Sequence, residues 1–154
     1  MNIVYLSLGT NLGDKEHNLL QAIEEIEKRI GSIQGQSAFL ETEPWGFDSD
    51  NTFLNAAVRV ATPLSPSALL RVTQAIERKL GRTHKSVGGV YHDRLIDIDI
   101  LYFIPSRKAV SLPSSPAIED LDSLSVHIAR PSLTIPHPHI HERDFVLTPL
   151  SQIR

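Results

Sequence analysis

The sequence contains no cysteine, which excludes a disulfide framework and thiolate chemistry. Its longest apolar runs are about five residues, far short of the roughly 20 needed to span a bilayer. The first residues, "MNIVYLSLGT", lack the basic start of a secretory signal. Nor is there an excess of positive charge: the formal net charge is -3, so nothing in the overall field draws the chain to nucleic acid or to an anionic membrane. A soluble, cytoplasmic protein is expected, with no nucleic-acid or membrane partner, and any anion site in it must be local.

What is present suits one core. A chain of 154 residues, 41% of them hydrophobic, is long enough for a single compact domain over 1–154 and short for two. Residues 3–8 (IVYLSL) read as a strand ending in the turn-rich "GTNLGD". Asp14 can cap a helix in which Leu19, Leu20, Ile23, Ile26 and Ile30 recur at helical spacing until Gly31. A strand over 33–42, the loop "EPWGFDSDN" and a strand "TFLNAAVRVAT" follow. Ser65-Pro66 then starts a helix striped with Leu69, Val72, Ile76 and Leu80, which Gly81 ends. After the basic loop "GRTHKSVGGVYHD" comes the strand "RLIDIDILYF".

The order βαββαβ predicts an α+β, ferredoxin-like fold: an antiparallel sheet with both helices on one face and an open face for a ligand. The Ser/Pro-rich stretch at about 105–130 reads as a surface excursion. Beyond it, "SLTIPHP" reads as strand-like and is followed by a short tail.

Two acids inside an apolar strand are costly unless the strand has two different faces. Residues two apart share a face, so Asp97 and Asp99 point one way with Leu101 while Ile96, Ile98 and Ile100 point the other. The two Cβ atoms are then roughly 6.6 Å apart, and at an effective dielectric near 20 the carboxylates repel by about 2.5 kcal/mol. A divalent cation reverses that sign, and Mg²⁺ is usually held by one or two carboxylates together with substrate phosphates. Two ions about 3.5 to 4 Å apart also fit such a pair. The alternative is an edge strand whose polar face is simply wet.

The neighbouring segments favour a nucleotide. Arg82, His84, Lys85 and Arg94 surround Gly88-Gly89, and a cationic loop beside a metal-binding strand suits a polyphosphate. Downstream, "TIPHPHIHERDF" offers His137 as a phosphate donor; zinc is disfavoured, since no cysteine or carboxylate stands at a familiar spacing. Gln74 and Glu77 share a helix face and can read a base or a hydroxyl. Trp45, Phe47 and Phe53 with Asn55 supply flat apolar surfaces beside an amide, the equipment for a planar heterocycle.

Taken together, "LSLGTNLGD", "ETEPWGF", "FLNAAV", "QAIERKLGR", "RLIDIDIL" and "IPHPHIHERDFVLTPL" resemble the 6-hydroxymethyl-7,8-dihydropterin pyrophosphokinases of folate biosynthesis. The resemblance covers most of the chain except the excursion. It implies transfer of pyrophosphate from ATP to the hydroxymethyl group of the reduced pterin, with release of AMP. It further implies two Mg²⁺ ions on Asp97 and Asp99, with Arg82 and Arg94 beside them as catalytic residues. ATP contacts fall on Gln74, Glu77, Arg82, Lys85, Arg94, Ile98, Thr134, His137 and Arg143, with His84 at a position often held by arginine. Pterin contacts fall on Thr42, Glu43, Trp45, Phe53, Asn55 and Phe145, with Tyr91 standing in for a loop tryptophan of some members. A monomer acting on small molecules is expected. Two other readings share some of these residues: a ligand-sensing module without turnover, and a metal-dependent phosphodiesterase or nucleotidyl transferase, which leaves the aromatic loop unexplained.

Overall fold

The computed structural model describes residues 1–43, 52–81 and 95–154. Among these residues seven strands and five α-helices follow in the order β1 (Asn2–Thr10), α1 (Lys15–Arg29), β2 (Ser32–Gln36), β3 (Leu40–Thr42), β4 (Phe53–Thr62), α2 (Pro66–Lys79), β5 (Asp97–Ile104), α3 (Ser106–Ala109), α4 (Ile118–Leu124), β6 (Ile128–Arg130), β7 (Leu133–Ile135) and α5 (Asp144–Ile153). A 3₁₀ turn, Ile140–Glu142, precedes α5. The main sheet has the order β2-β4-β1-β5, with β3 also on β4, and its pairs are antiparallel. This is the ferredoxin-like arrangement expected from the element order.

Both long helices start where the side chains supply caps. The Asp14 carboxylate accepts from the His17 N–H at 3.1 Å and the Ser65 hydroxyl from the Ala68 N–H at 3.2 Å, with Pro66 opening α2. Leu19, Ile26, Leu69 and Ile76 then meet Val4, Leu6, Val58 and Val60 in a fully buried cluster on one face of the sheet. Gly31 lets the chain leave α1 against β4: a Cβ there would lie 1.9 Å from the Ala61 carbonyl oxygen. Gly81 ends the second helical segment at φ +102°, a left-handed backbone that glycine adopts without strain.

Three expectations are corrected. The strand over 33–42 is two strands, because residues 37–39 oppose only Ala56 and Ala57. There the Ser37 hydroxyl accepts from the Ala57 N–H at 2.9 Å and takes over a ladder position. The excursion is not merely surface: it holds α3, α4 and β6, with Leu121 fully buried. The tail is a ten-residue helix that carries Pro149 within it. With the 3₁₀ turn, α4 and α5 cover the second face of the sheet over Ile3, Tyr5, Tyr102 and Ile104. Among the described residues that face is therefore uncovered only toward its other end, where Gly9 pairs with Asn55 and Asp97. Among the described residues, no helix is long and apolar enough to cross a membrane.

Candidate active site

Alternation along β5 is as expected up to one irregularity. Ile96, Ile98 and Ile100 enter the helix-side cluster, while Asp97 and Asp99 are half-buried on the second face, opposite Gly9 and Ser7. Tyr5 pairs with Tyr102 but Leu6 pairs with Ile100, so Leu101 is the extra residue of a β-bulge. The bulge puts Leu101 and Tyr102 in the same cluster on the second face and returns Phe103 to the first.

The main chain between the two acids is fixed from α2. Glu77, 7% exposed, accepts the Ile98 N–H through Oε2 at 2.9 Å. Gln74 is half-buried one turn earlier on the same helix. Ile98 therefore gives its main-chain N–H to Glu77 and its side chain to the core.

On the far side of β5 the segment after β7, which includes a cis Ile135–Pro136 bond, is held by the His137 N–H donating to the Leu101 carbonyl at 3.1 Å. His137 Nε2 then lies 4.0 Å from an Asp99 oxygen. Burial, reinforced by the positive charge of Arg143, pushes the imidazole down to about 4, so it is neutral at physiological pH. The His139 N–H donates to its Nδ1 at 3.2 Å, which leaves the proton on Nε2, facing the carboxylate pair. Thr134 is exposed on β7 and bonds within its own hairpin, to the Arg130 carbonyl at 3.5 Å.

A second group lies across β1. Asn55, 3% exposed, donates to the Thr42 hydroxyl at 2.7 Å and to the Leu40 carbonyl at 3.3 Å. Its Oδ1 would be 3.2 Å from a Cβ on Gly9, so the amide oxygen reaches over β1 because Gly9 has no side chain. Asn55, Gly9 and Asp97 form one row across three strands, which places the Asn55 and Asp97 main chains roughly 10 Å apart. Phe53 pairs with Thr42 beside this row, and Glu43 is exposed. At the start of α5 the buried Arg143 sets its guanidinium 5.6 Å from the centre of the Phe145 ring.

The structure thus brings Glu77, Ile98, Asp97, Asp99 and His137 together, and Thr42, Phe53 and Asn55 next to them. Trp45, Arg82, His84, Lys85, Tyr91 and Arg94 lie outside the described residues. Among the described residues no group of three metal-binding side chains converges, and Asp97 and Asp99 stand as two half-buried carboxylates on one strand. That donor set fits Mg²⁺ when substrate phosphates complete the shell. Sequence reasoning missed Ser7 and Asn11, which are 7% and 2% exposed on or beside β1. It also missed Asn18, which holds the turn after β1 by donating to the Thr10 hydroxyl at 3.2 Å and to the Leu12 carbonyl at 2.8 Å. A polar residue inside an amphipathic helix, facing a turn of small residues, was the available signal for Asn18.

Residues 5–154 match the family described as 7,8-dihydro-6-hydroxymethylpterin-pyrophosphokinase (HPPK). The chain belongs to this family. A relative from Porphyromonas gingivalis, named 2-amino-4-hydroxy-6-hydroxymethyldihydropteridine pyrophosphokinase, is 48% identical over 99% of this chain and 91% of its own. One of the same name from Bacillus subtilis is 37% identical, over 99% of this chain and 78% of its own. The wild-type HPPK-DHPS crystal structure from Plasmodium falciparum superposes with a TM-score of 0.65 at 18% identity, over 99% of this chain. This chain spans 40% of that longer protein, and the likeness supports the fold. An HPPK member is a pyrophosphokinase, and the enzyme class expected from the motifs is the one the family carries.

Proposed function

We propose that this protein transfers the pyrophosphoryl group of ATP to the hydroxymethyl group of 6-hydroxymethyl-7,8-dihydropterin, releasing AMP, as the folate-pathway step of its family. The observation that carries the reading is the row Asn55–Gly9–Asp97, which sets an amide suited to a ring edge on the same face as a carboxylate pair suited to a metal-bound phosphate.

The pterin binds by its hydrogen-bonding edge to Asn55, held rigid by Thr42, with Glu43, Trp45, Phe53, Tyr91 and Phe145 as its further contacts. ATP lies along β5 with its base against Gln74, Glu77 and the Ile98 main chain, reaching Thr134 at the hairpin. Asp97 and Asp99 would hold two Mg²⁺ ions, which would supply neutralisation of the phosphate charge. The His137 Nε2–H donates to a phosphate oxygen, and Arg82, His84, Lys85, Arg94 and Arg143 carry the remaining negative charge. The hydroxymethyl oxygen attacks the β-phosphorus in line and AMP leaves, so catalysis rests on positioning and charge neutralisation. The protein acts as a single-domain monomer in the cytoplasm, without nucleic-acid or membrane partners.

The test is direct. Incubation with Mg-ATP and reduced hydroxymethylpterin gives AMP and pyrophosphorylated pterin by mass spectrometry. ADP, free pyrophosphate or an absence of turnover overturns the reading.

A further inference from the structure

The first turn of α1 is tied to two of the three strands that carry the row Asn55–Gly9–Asp97. Asn18 reaches back to Thr10 and Leu12 at the end of β1. Lys15 reaches forward to the residue that precedes β4: its Nζ donates to the Thr52 hydroxyl at 3.0 Å and to the Thr52 carbonyl at 3.2 Å. The same hydroxyl donates onward to Glu41 Oε1 on β3 at 2.9 Å. A cation and an acid from segments distant in sequence are thereby joined through one hydroxyl, which accepts from the first and donates to the second. Helix formation does not account for the lysine. Lys15 is the first residue of α1, where the helix dipole favours acids over cations.

Alternation decides what the relay supports. Leu54 packs against the helix-side cluster, so Thr52 and the Leu54 partner Glu41 share its side of the sheet, while Phe53, Asn55 and the Phe53 partner Thr42 face the other. Phe53 lies against the row itself, since a Cβ on Gly9 would be 3.7 Å from its Cδ1. The relay therefore stands behind Thr42, Phe53 and Asn55, on the helix side. β3 is a strand of only three residues, paired over Phe53, Leu54 and Asn55, and its last residue, Thr42, accepts from the Asn55 amide. So short a ladder holds register weakly. The bonds through Glu41, Thr52 and Lys15 tie it to a helix anchored in the core by the fully buried Leu19 and Ile26.

We infer that Lys15 is a positioning residue for the pterin half of the reaction, acting through Thr52 and Glu41 to hold Thr42, Asn55 and Phe53 in register. The inference rests on the pyrophosphokinase reading of that row. Asp97, Asp99 and His137 lie on the other side of β1, and no bond of the relay reaches them. Lys15 therefore governs the affinity for one substrate and not for the other.

The test measures two affinities of the intact protein by titration calorimetry. The magnesium complex of α,β-methylene-ATP, which cannot give up its pyrophosphoryl group, is titrated into the free protein, and reduced hydroxymethylpterin into the protein saturated with that nucleotide. Lys15→Met keeps the aliphatic stem and removes both donated bonds; it weakens pterin binding by about fivefold or more while nucleotide affinity stays within about twofold. Lys15→Arg, which keeps the charge and the donors, stays within about twofold of the parent for both ligands. Thr52→Val also weakens pterin binding, and the double variant loses less than the product of the two single losses, because both changes break one relay. If Lys15→Met fails to fold, Thr52→Val is measured in its place. A general loss of stability does not separate the two ligands. Unchanged pterin affinity in Lys15→Met, equal losses for both ligands, or no recovery in Lys15→Arg overturns the inference and leaves the pyrophosphokinase reading in place; a parent protein that takes up no pterin overturns both.

Discussion

Removing the Glu77 carboxylate tests whether a helix residue fixes the strand that carries Asp97 and Asp99. In the folded protein its Oε2 accepts the Ile98 N–H at 2.9 Å, with Glu77 7% and Ile98 6% exposed. A hydrogen bond to a charged acceptor contributes about 1.5–3 kcal/mol, and an orphaned buried N–H costs a similar amount. Glu77→Ala therefore loses about 2–3 kcal/mol of unfolding free energy, which for a chain of this size lowers Tm by roughly 4–12 °C. Glu77→Gln keeps an acceptor oxygen and loses about 1 kcal/mol. Urea denaturation without nucleotide measures the stability. An Ala variant within about 0.5 kcal/mol of the parent refutes the reasoning, as does a Gln variant that falls as far as the Ala variant.

Because His137 is held at about 4, against an ordinary histidine value of 6.5, the unfolded chain binds more protons between those values and folding weakens as pH falls. Its contribution is fully present above pH 6.5 and costs about 2 kcal/mol by pH 5. His137→Asn, which keeps an acceptor for the His139 N–H, flattens that part of a urea-based stability profile; an unchanged slope argues against a buried neutral imidazole. Among the three tyrosines, burial raises both Tyr5 and Tyr102, the latter also by donating to Asp122 at 2.6 Å. In an ultraviolet titration, those two ionise only as the protein unfolds at alkaline pH. Gly31→Ala forces a Cβ to 1.9 Å from the Ala61 oxygen and shifts α1 or β4, so it costs about 3 kcal/mol or more in denaturant unfolding.

The parts of this molecule that obey a period could be read in advance. Ile96, Ile98 and Ile100 alternate with Asp97 and Asp99, and that pattern alone separates a core face from a ligand face. The caps Asp14 and Ser65 were legible because their side chains act on residues three positions away. What escaped was decided over long distances. Ser37 breaks a strand by bonding to Ala57, and the pairing of Tyr5 with Tyr102 rather than with Leu101 has no local signature. Pro149 disguised α5 as a tail, although the helix packs Val146, Leu150 and Ile153 on the sheet. Likewise, the neutrality of His137 depends on burial by segments remote in sequence, which composition does not reveal.

The extra residue in β5 divides the work of a single strand. Before Leu101 the second-face positions are acids; after it, Tyr102 and Ile104 fill a core. A regular strand would keep both tasks in one register, so that sliding it to improve packing would move the acids with it. With the bulge as a joint, the packed half can adjust to substitutions beneath α4 and α5 while Asp97 and Asp99 keep their places opposite Gly9 and Ser7. Substitutions that repack the sheet are then separable from substitutions that change turnover, within eight consecutive residues of one strand.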